Sequence, residues 1–319
     1  MSLFKKINAH YNVLMLKDLA RSKKYEEFFS LIESISKDRQ LLLKNAPIIS
    51  QVLNENKNDQ NEKKLIWLNA YDYNELIPLN NFFNFYFSEV SYKTDDISTY
   101  EFEVSKIYED TPYENKISFN EFIDNSYFYQ WYFLLKSKAK IRIINNQLPF
   151  FSTNNNYNFS KSTLTLCYFY LIDDPYQVYQ DLKNKNGNDS EIARNIFLNL
   201  DNNYLSCNVN GKKFELDKQG WHTHVSSWKD ANVINSLKGK FIFKKNLITD
   251  PYDTFCSIIF HLIQSGVEID LNYDVIQKYV STMPKTQQSP EVSLSKSEKK
   301  FLDQYVDKVL NDIDALKSE

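Results

Sequence analysis

His222 and His224 lie two residues apart between Trp221 and Trp228, a spacing that suits a general base or half of a metal pair. No third ligand stands near them, and packing with hydrogen bonding is the other use of such residues. Asp173-Asp174 end an apolar run just before Pro175, where carboxylates can hold a cation or cap the next helix. Asp72 and Glu75 follow another apolar run and would join Asp173 around a cation if the fold brings them together. Lys136, Lys138, Lys140 and Arg142 form a basic cluster that suits an anion or a solvated strand edge. The three cysteines, 167, 207 and 256, have neither metal nor redox spacing, so free thiols are expected and disulfides are not.

The elements that must position these groups follow from apolar spacing. Residues 12 to 56 read as helices, with Tyr25, Phe28, Phe29, Leu31, Ile32 and Ile35 at helical intervals and a second set from Leu41 to Val52. The polar run Asn54 to Lys63 is a linker, which places a boundary near residue 60. Short apolar runs at 64–68, 164–172 and 239–243 suit buried strands. Aromatic or apolar helices follow at 80–87, 178–182 and 254–262, and an amphipathic helix closes the chain from Ser295 to Leu316. Strands alternating with helices predict an α/β fold with a largely parallel sheet. Core packing accounts for the aromatic runs Phe82 to Phe87 and Tyr127 to Phe133.

With 319 residues, 42% of them hydrophobic and 15% aromatic, the chain can bury a substantial core. Its formal charge of −3 with interspersed signs leaves no positive face for a phosphate backbone, so nucleic acid is not an expected partner. Met1 to Asn12 lacks the apolar stretch of a signal peptide and no segment reads as a membrane span, which places the protein in the cytoplasm.

Four segments between residues 61 and 283 resemble the bacterial P-loop sulfotransferases that take sulfate from 3′-phosphoadenosine 5′-phosphosulfate (PAPS). They are Ile66 to Tyr71, Lys136 to Lys138 with Asn145 to Phe150, Tyr170 to Val178 with Asn186 to Glu191, and Trp221 to Trp228 with Phe241 to Leu247 and Asp250-Pro251. The resemblance implies a P-loop NTPase-like parallel sheet flanked by helices over 61–283, a helical extension over 1–60, and a C-terminal loop and helix over 284–319.

It also implies where a PAPS site would lie, and the residues there depart from the pattern. Where the family has a lysine, glycine and threonine in its phosphosulfate loop, this chain has Tyr73, Glu75 and Ile77, with Asn74 between the first two. Asp173 and Asp181 stand at the Arg and Ser positions of the 3′-phosphate site, so cationic and hydroxyl donors have become anionic acceptors. Two carboxylates would border a phosphosulfate, and each like-charge contact at ~4 Å costs about 4 kcal/mol near a surface. The family's basic C-terminal loop falls on Pro284 to Pro290, with one Lys and no Gly, and its general base aligns with Lys138. The reading is a divergent, catalytically inactive relative that binds no cofactor and serves as a binding or regulatory scaffold for a protein partner or an active relative. The alternative is an active sulfotransferase using PAPS on a small-molecule or glycan acceptor, with Lys138, His222 or His224 as base. A cation held by Asp72, Glu75 and Asp173 is a third reading.

Overall fold

The computed structural model describes residues 3–56, 62–108, 119–151, 158–200, 204–209, 212–217, 220–235, 237–283 and 292–315. Helices α1 (Leu3–Arg21), α2 (Tyr25–Ile35), α3 (Arg39–Lys44) and α4 (Ala46–Glu55) open the chain. Strand β1 (Lys64–Ala70) then leads through a 3-10 turn (Tyr73–Leu76) into α5 (Ile77–Glu89). Next come β2 (Ser98–Thr99), α6 (Tyr100–Tyr108), α7 (Phe119–Asp124), α8 (Ser126–Lys136) and β3 (Ile141–Asn146). Strand β4 (Thr165–Ile172) precedes α9 (Pro175–Lys185) and α10 (Ser190–Leu198), and β5 (Tyr204–Val209) pairs with β6 (Lys212–Asp217) in a separate antiparallel ribbon. Helix α11 (Trp221–Asn235), β7 (Lys238–Phe243), α12 (Lys244–Thr249), α13 (Pro251–Ser265), α14 (Tyr273–Thr282) and α15 (Lys296–Ala315) complete the order.

The main sheet has five strands in the order β2-β3-β1-β4-β7, and every neighbouring pair is parallel. Parallel strands covered on both faces bury successive residues on opposite sides, which is why β1 and β4 are continuous apolar runs. One face presents Leu65, Trp67, Tyr168 and Tyr170 to the larger core, and the other presents Ile66, Leu68, Phe169 and Leu171 to α5, α13 and α14. The chain is therefore α/β, with a parallel sheet flanked by helices.

The three expected strands and their following helices are present. Helices α1 to α4 share one continuous core with the sheet, in which Leu16, Phe28, Ile49 and Val52 belong with Trp67. Ser50 Oγ, buried in α4, accepts the Phe128 backbone N–H at 3.1 Å. At the other end, α15 lays Leu302, Val306, Val309 and Ile313 into the same core. Its N-terminus is a capping box: the Ser295 N–H donates to Glu298 Oε2 at 2.8 Å, and the Glu298 N–H donates to Ser295 Oγ at 3.3 Å. No helix among the described residues is long and apolar enough to cross a membrane.

Strand β3 was not anticipated, and it corrects the reading of the basic cluster as a strand edge. Arg142 is 9% exposed inside β3, between β1 and β2, where its guanidinium pairs with Glu103 at 2.6 Å and donates to the Phe133 carbonyl at 3.0 Å.

Candidate functional site

Ligands of open parallel sheets collect beyond the carboxyl ends of the strands, because successive crossovers leave the helix and loop starts there. In this chain that end is a cleft of about 110 Å3 lined by Tyr71, Asp72, Glu75, Tyr170, Asp173 and Asp181 among others. The pairing of β4 with β7 sets Ile172 opposite Phe243, so the next residues, Asp173 and Lys244, leave the sheet side by side. The 3-10 turn after β1 brings Glu75 to the same point. Lys244 Nζ pairs with Asp173 Oδ2 at 3.2 Å and with the Glu75 carboxylate. Sequence reasoning missed Lys244.

This ion triad settles the local charge. Burial pushes the Glu75 carboxyl above its ordinary range, and Asp173 adds to the rise while the Lys244 hydrogen bond opposes it. Burial works against the Lys244 ammonium, yet the Glu75 hydrogen bond and the Asp173 charge outweigh it and hold the Lys pKa above its usual value. The ammonium stands where a cation between Glu75 and Asp173 would stand. Asp72 also lines the cleft, with its Oδ1 accepting the Asn74 N–H at 3.0 Å at the head of the turn. No group of three or more His, Cys, Asp or Glu side chains among the described residues is arranged to hold a metal ion.

Under the triad lies an aromatic floor. Tyr71 and His224 meet edge to face at 5.5 Å, and His224 is fully buried on α11. Its Nε2 lies 2.9 Å from the Gln147 carbonyl, which can only accept, so Nε2 carries the proton. Nδ1 then accepts the Tyr170 hydroxyl at 2.7 Å. Burial holds both the Tyr71 and Tyr170 phenols far above their usual range, so both stay protonated at neutral pH. His224 thus has both ring nitrogens engaged and no access to solvent.

The remaining candidates scatter. Tyr73 donates its hydroxyl to the Glu101 carboxylate at the start of α6, and burial raises the Glu101 pKa. Asn74 stands beside Glu75 in the turn. Asp181, on α9, lines the cleft and accepts a hydrogen bond from Gln177 at 2.8 Å. Asp173 and Asp174 divide their work: Asp173 faces Lys244, while Asp174 caps α9 through the Tyr176 N–H at 2.9 Å. His222 is directed to the C-terminal helix, its ring 6.3 Å from that of Tyr305. Lys138 is not brought to the cleft. It precedes β3, whose first residue pairs with Lys64 at the entry end of β1, so the six residues of β3 put roughly 20 Å between Lys138 and the strand ends. The loop Pro284 to Pro290 lies outside the described residues. Cys167 and Cys256 are free, and burial pushes the Cys167 thiol up to about 12.

No family model matches the chain, and no curated protein matches it in sequence. Among solved structures, mouse sulfotransferase SULT7A1 complexed with PAP is similar to 84% of this chain over 89% of its own, at 12% identity and a TM-score of 0.43. A likeness that distant assigns no activity, so function has to be argued from the cleft itself.

Proposed function

We propose that this chain is a divergent, sulfotransferase-like protein that has lost PAPS binding and works as a binding or regulatory scaffold. The observation that carries the proposal is the Lys244 ammonium closed between Glu75 and Asp173 at the strand ends. In the family pattern a lysine and backbone amides at this point would neutralise a phosphosulfate. Here the cation is already neutralised by two carboxylates. The amides of the turn are also in use, since the Asn74 N–H donates to Asp72 Oδ1 and the Glu75 N–H to the Asp72 carbonyl at 3.1 Å. Pro78, in the first turn of α5, removes another donor. The cleft, at about 110 Å3, is well below the roughly 300 Å3 at which small-molecule pockets begin.

The same geometry weighs against an active enzyme with a rearranged site. Lys138 stands at the far end of the sheet, and His224 has no free nitrogen. Calorimetry and thermal melting with 3′-phosphoadenosine 5′-phosphate test the reading. The expected result is no heat and no shift at millimolar ligand; micromolar binding would refute the loss of the donor site and restore the active sulfotransferase.

A further inference from the structure

A second cavity, of about 360 Å3, lies at the entry end of the sheet, between α2, the end of α4, the residues just before β1, and α8. Unlike the cleft at the strand ends, it falls within the roughly 300–1,000 Å3 of small-molecule sites. Its wall is apolar and comes from three helices: Phe29 from α2, Leu53 from α4, and Trp131, Leu134 and Leu135 from α8. Such a wall favours a ligand with an apolar body.

Two polar features narrow the class. Trp131 is only 5% exposed, with Phe128 beside its ring at 6.3 Å. Its indole N–H has no acceptor among the described residues, and it is not one of the polar atoms sealed from solvent. Trp67 and Trp228, by contrast, spend theirs inside the core, on Thr165 Oγ1 at 2.8 Å and on the Leu148 carbonyl at 3.0 Å. An indole nitrogen only donates, so the open N–H of Trp131 calls for an acceptor on whatever fills the cavity. The second feature is charge. Glu33 and Glu62 line the same cavity, both exposed and neither in an ion pair among the described residues. The one cation of the lining, Lys63, turns its Nζ to the Ser137 carbonyl at 2.7 Å. Two unpaired carboxylates beside an apolar pocket favour a cation and disfavour an acid.

We infer that this cavity binds a small apolar amine that also carries an accepting oxygen, its body against Phe29, Leu53, Leu134 and Leu135, its oxygen on the Trp131 N–H, and its ammonium beside Glu33 and Glu62. The site is separate from the Glu75–Lys244–Asp173 cleft and does not depend on the function proposed for that cleft.

The test is calorimetric titration of the full chain with phenylalaninamide at about pH 6.5, where its amino group is protonated. N-acetylphenylalaninamide, which lacks the charge, and phenethylamine, which lacks the carbonyl, are the comparisons. Saturable binding of phenylalaninamide below about 10 mM is expected, at least about fivefold stronger than that of the acetylated compound. Because both glutamates are exposed, Glu33→Gln/Glu62→Gln keeps the wild-type melting temperature and erases that preference. Trp131→Phe keeps a ring in the wall and removes the N–H, so it weakens phenylalaninamide by about threefold more than phenethylamine. No saturable binding, equal binding of the acetylated compound, indifference to the double glutamate variant, or an equal effect of Trp131→Phe on both amines would each overturn the inference.

Discussion

Lys244→Met tests whether the cleft is closed by charge. The methionine keeps most of the side-chain volume and removes the ammonium, which leaves Glu75 and Asp173 facing each other without a counter-ion. At 3.2 Å and an effective dielectric near 20, the Lys244–Asp173 attraction alone is about 5 kcal/mol before desolvation and side-chain ordering are subtracted. Those subtractions are large. Removing one partner of a fully buried pair costs about 3–5 kcal/mol, and exposed pairs contribute about 0–1 kcal/mol. With side chains 32%, 22% and 12% exposed for Lys244, Glu75 and Asp173, the triad falls between those limits. The expected loss at neutral pH is about 2 kcal/mol.

The pH dependence separates this reasoning from simple loss of packing. The Glu75 carboxyl already sits above its ordinary range because of burial and then Asp173, and removing Lys244 raises it further. A carboxyl whose pKa is raised on folding binds its proton more tightly in the folded chain, so stability falls as pH rises through that folded pKa. The deficit of Lys244→Met is therefore small in mild acid and full at neutral pH. Urea unfolding of variant and wild type at about pH 4.5 and about pH 7.5 measures both deficits. Adding Glu75→Gln to Lys244→Met should recover a large part of the neutral-pH loss. A deficit that is the same at both pH values, or that Glu75→Gln does not relieve, would refute the electrostatic account.

Glu298→Gln should loosen the C-terminal helix in a pH-dependent way. Burial opposes ionisation of Glu298, but Lys183 at 2.8 Å, Ser190 at 2.6 Å and the Ser295 N–H outweigh it and bring its pKa down to about 2. Because that pKa is depressed, its contribution is present above the ordinary carboxyl range and lost as pH falls towards 2, so the variant should lose about 3 kcal/mol at neutral pH and converge on wild type in strong acid, as read by acid and urea unfolding. Tyr170→Phe removes the donor to His224 Nδ1 and should cost about 1–3 kcal/mol in thermal unfolding without creating a response to 3′-phosphoadenosine 5′-phosphate.

The parts of this architecture that depend on local apolar runs were legible in the sequence. Strands β1, β4 and β7, and helices α5, α9, α13 and α15, follow from hydrophobic spacing because both faces of the sheet are covered. Strand β3 was not legible: Ile141 to Asn146 carries Arg142, Asn145 and Asn146, and only the Glu103 carboxylate and the Phe133 carbonyl make a buried arginine tolerable there. Glu103 lies far away in sequence. Lys244 was invisible for a related reason, since a lysine after an apolar strand looks like a solvated end until the register of β4 on β7 sets it beside Asp173. Lys138 shows the converse, because proximity in a motif placed it at the cleft while the direction of β3 carried it to the other end of the sheet.

Parallel strands send all their carboxyl ends to one side, so the residues just past β1, β4 and β7 decide together what that side can hold. In this chain they supply Asp72, Glu75 and Asp173, with Asp181 from the next helix, against Lys244 and, from the end of that helix, Lys185. Four carboxylates against two ammonium groups leave a negative surplus, and Lys244 is enclosed by two of the acids, which leaves the exposed Lys185 as the lysine of the lining that forms no ion pair among the described residues. One exposed lysine against four carboxylates does not make an anion site, and Lys244→Met makes the balance more negative still, so neither wild type nor that variant should show a thermal shift with 3′-phosphoadenosine 5′-phosphate.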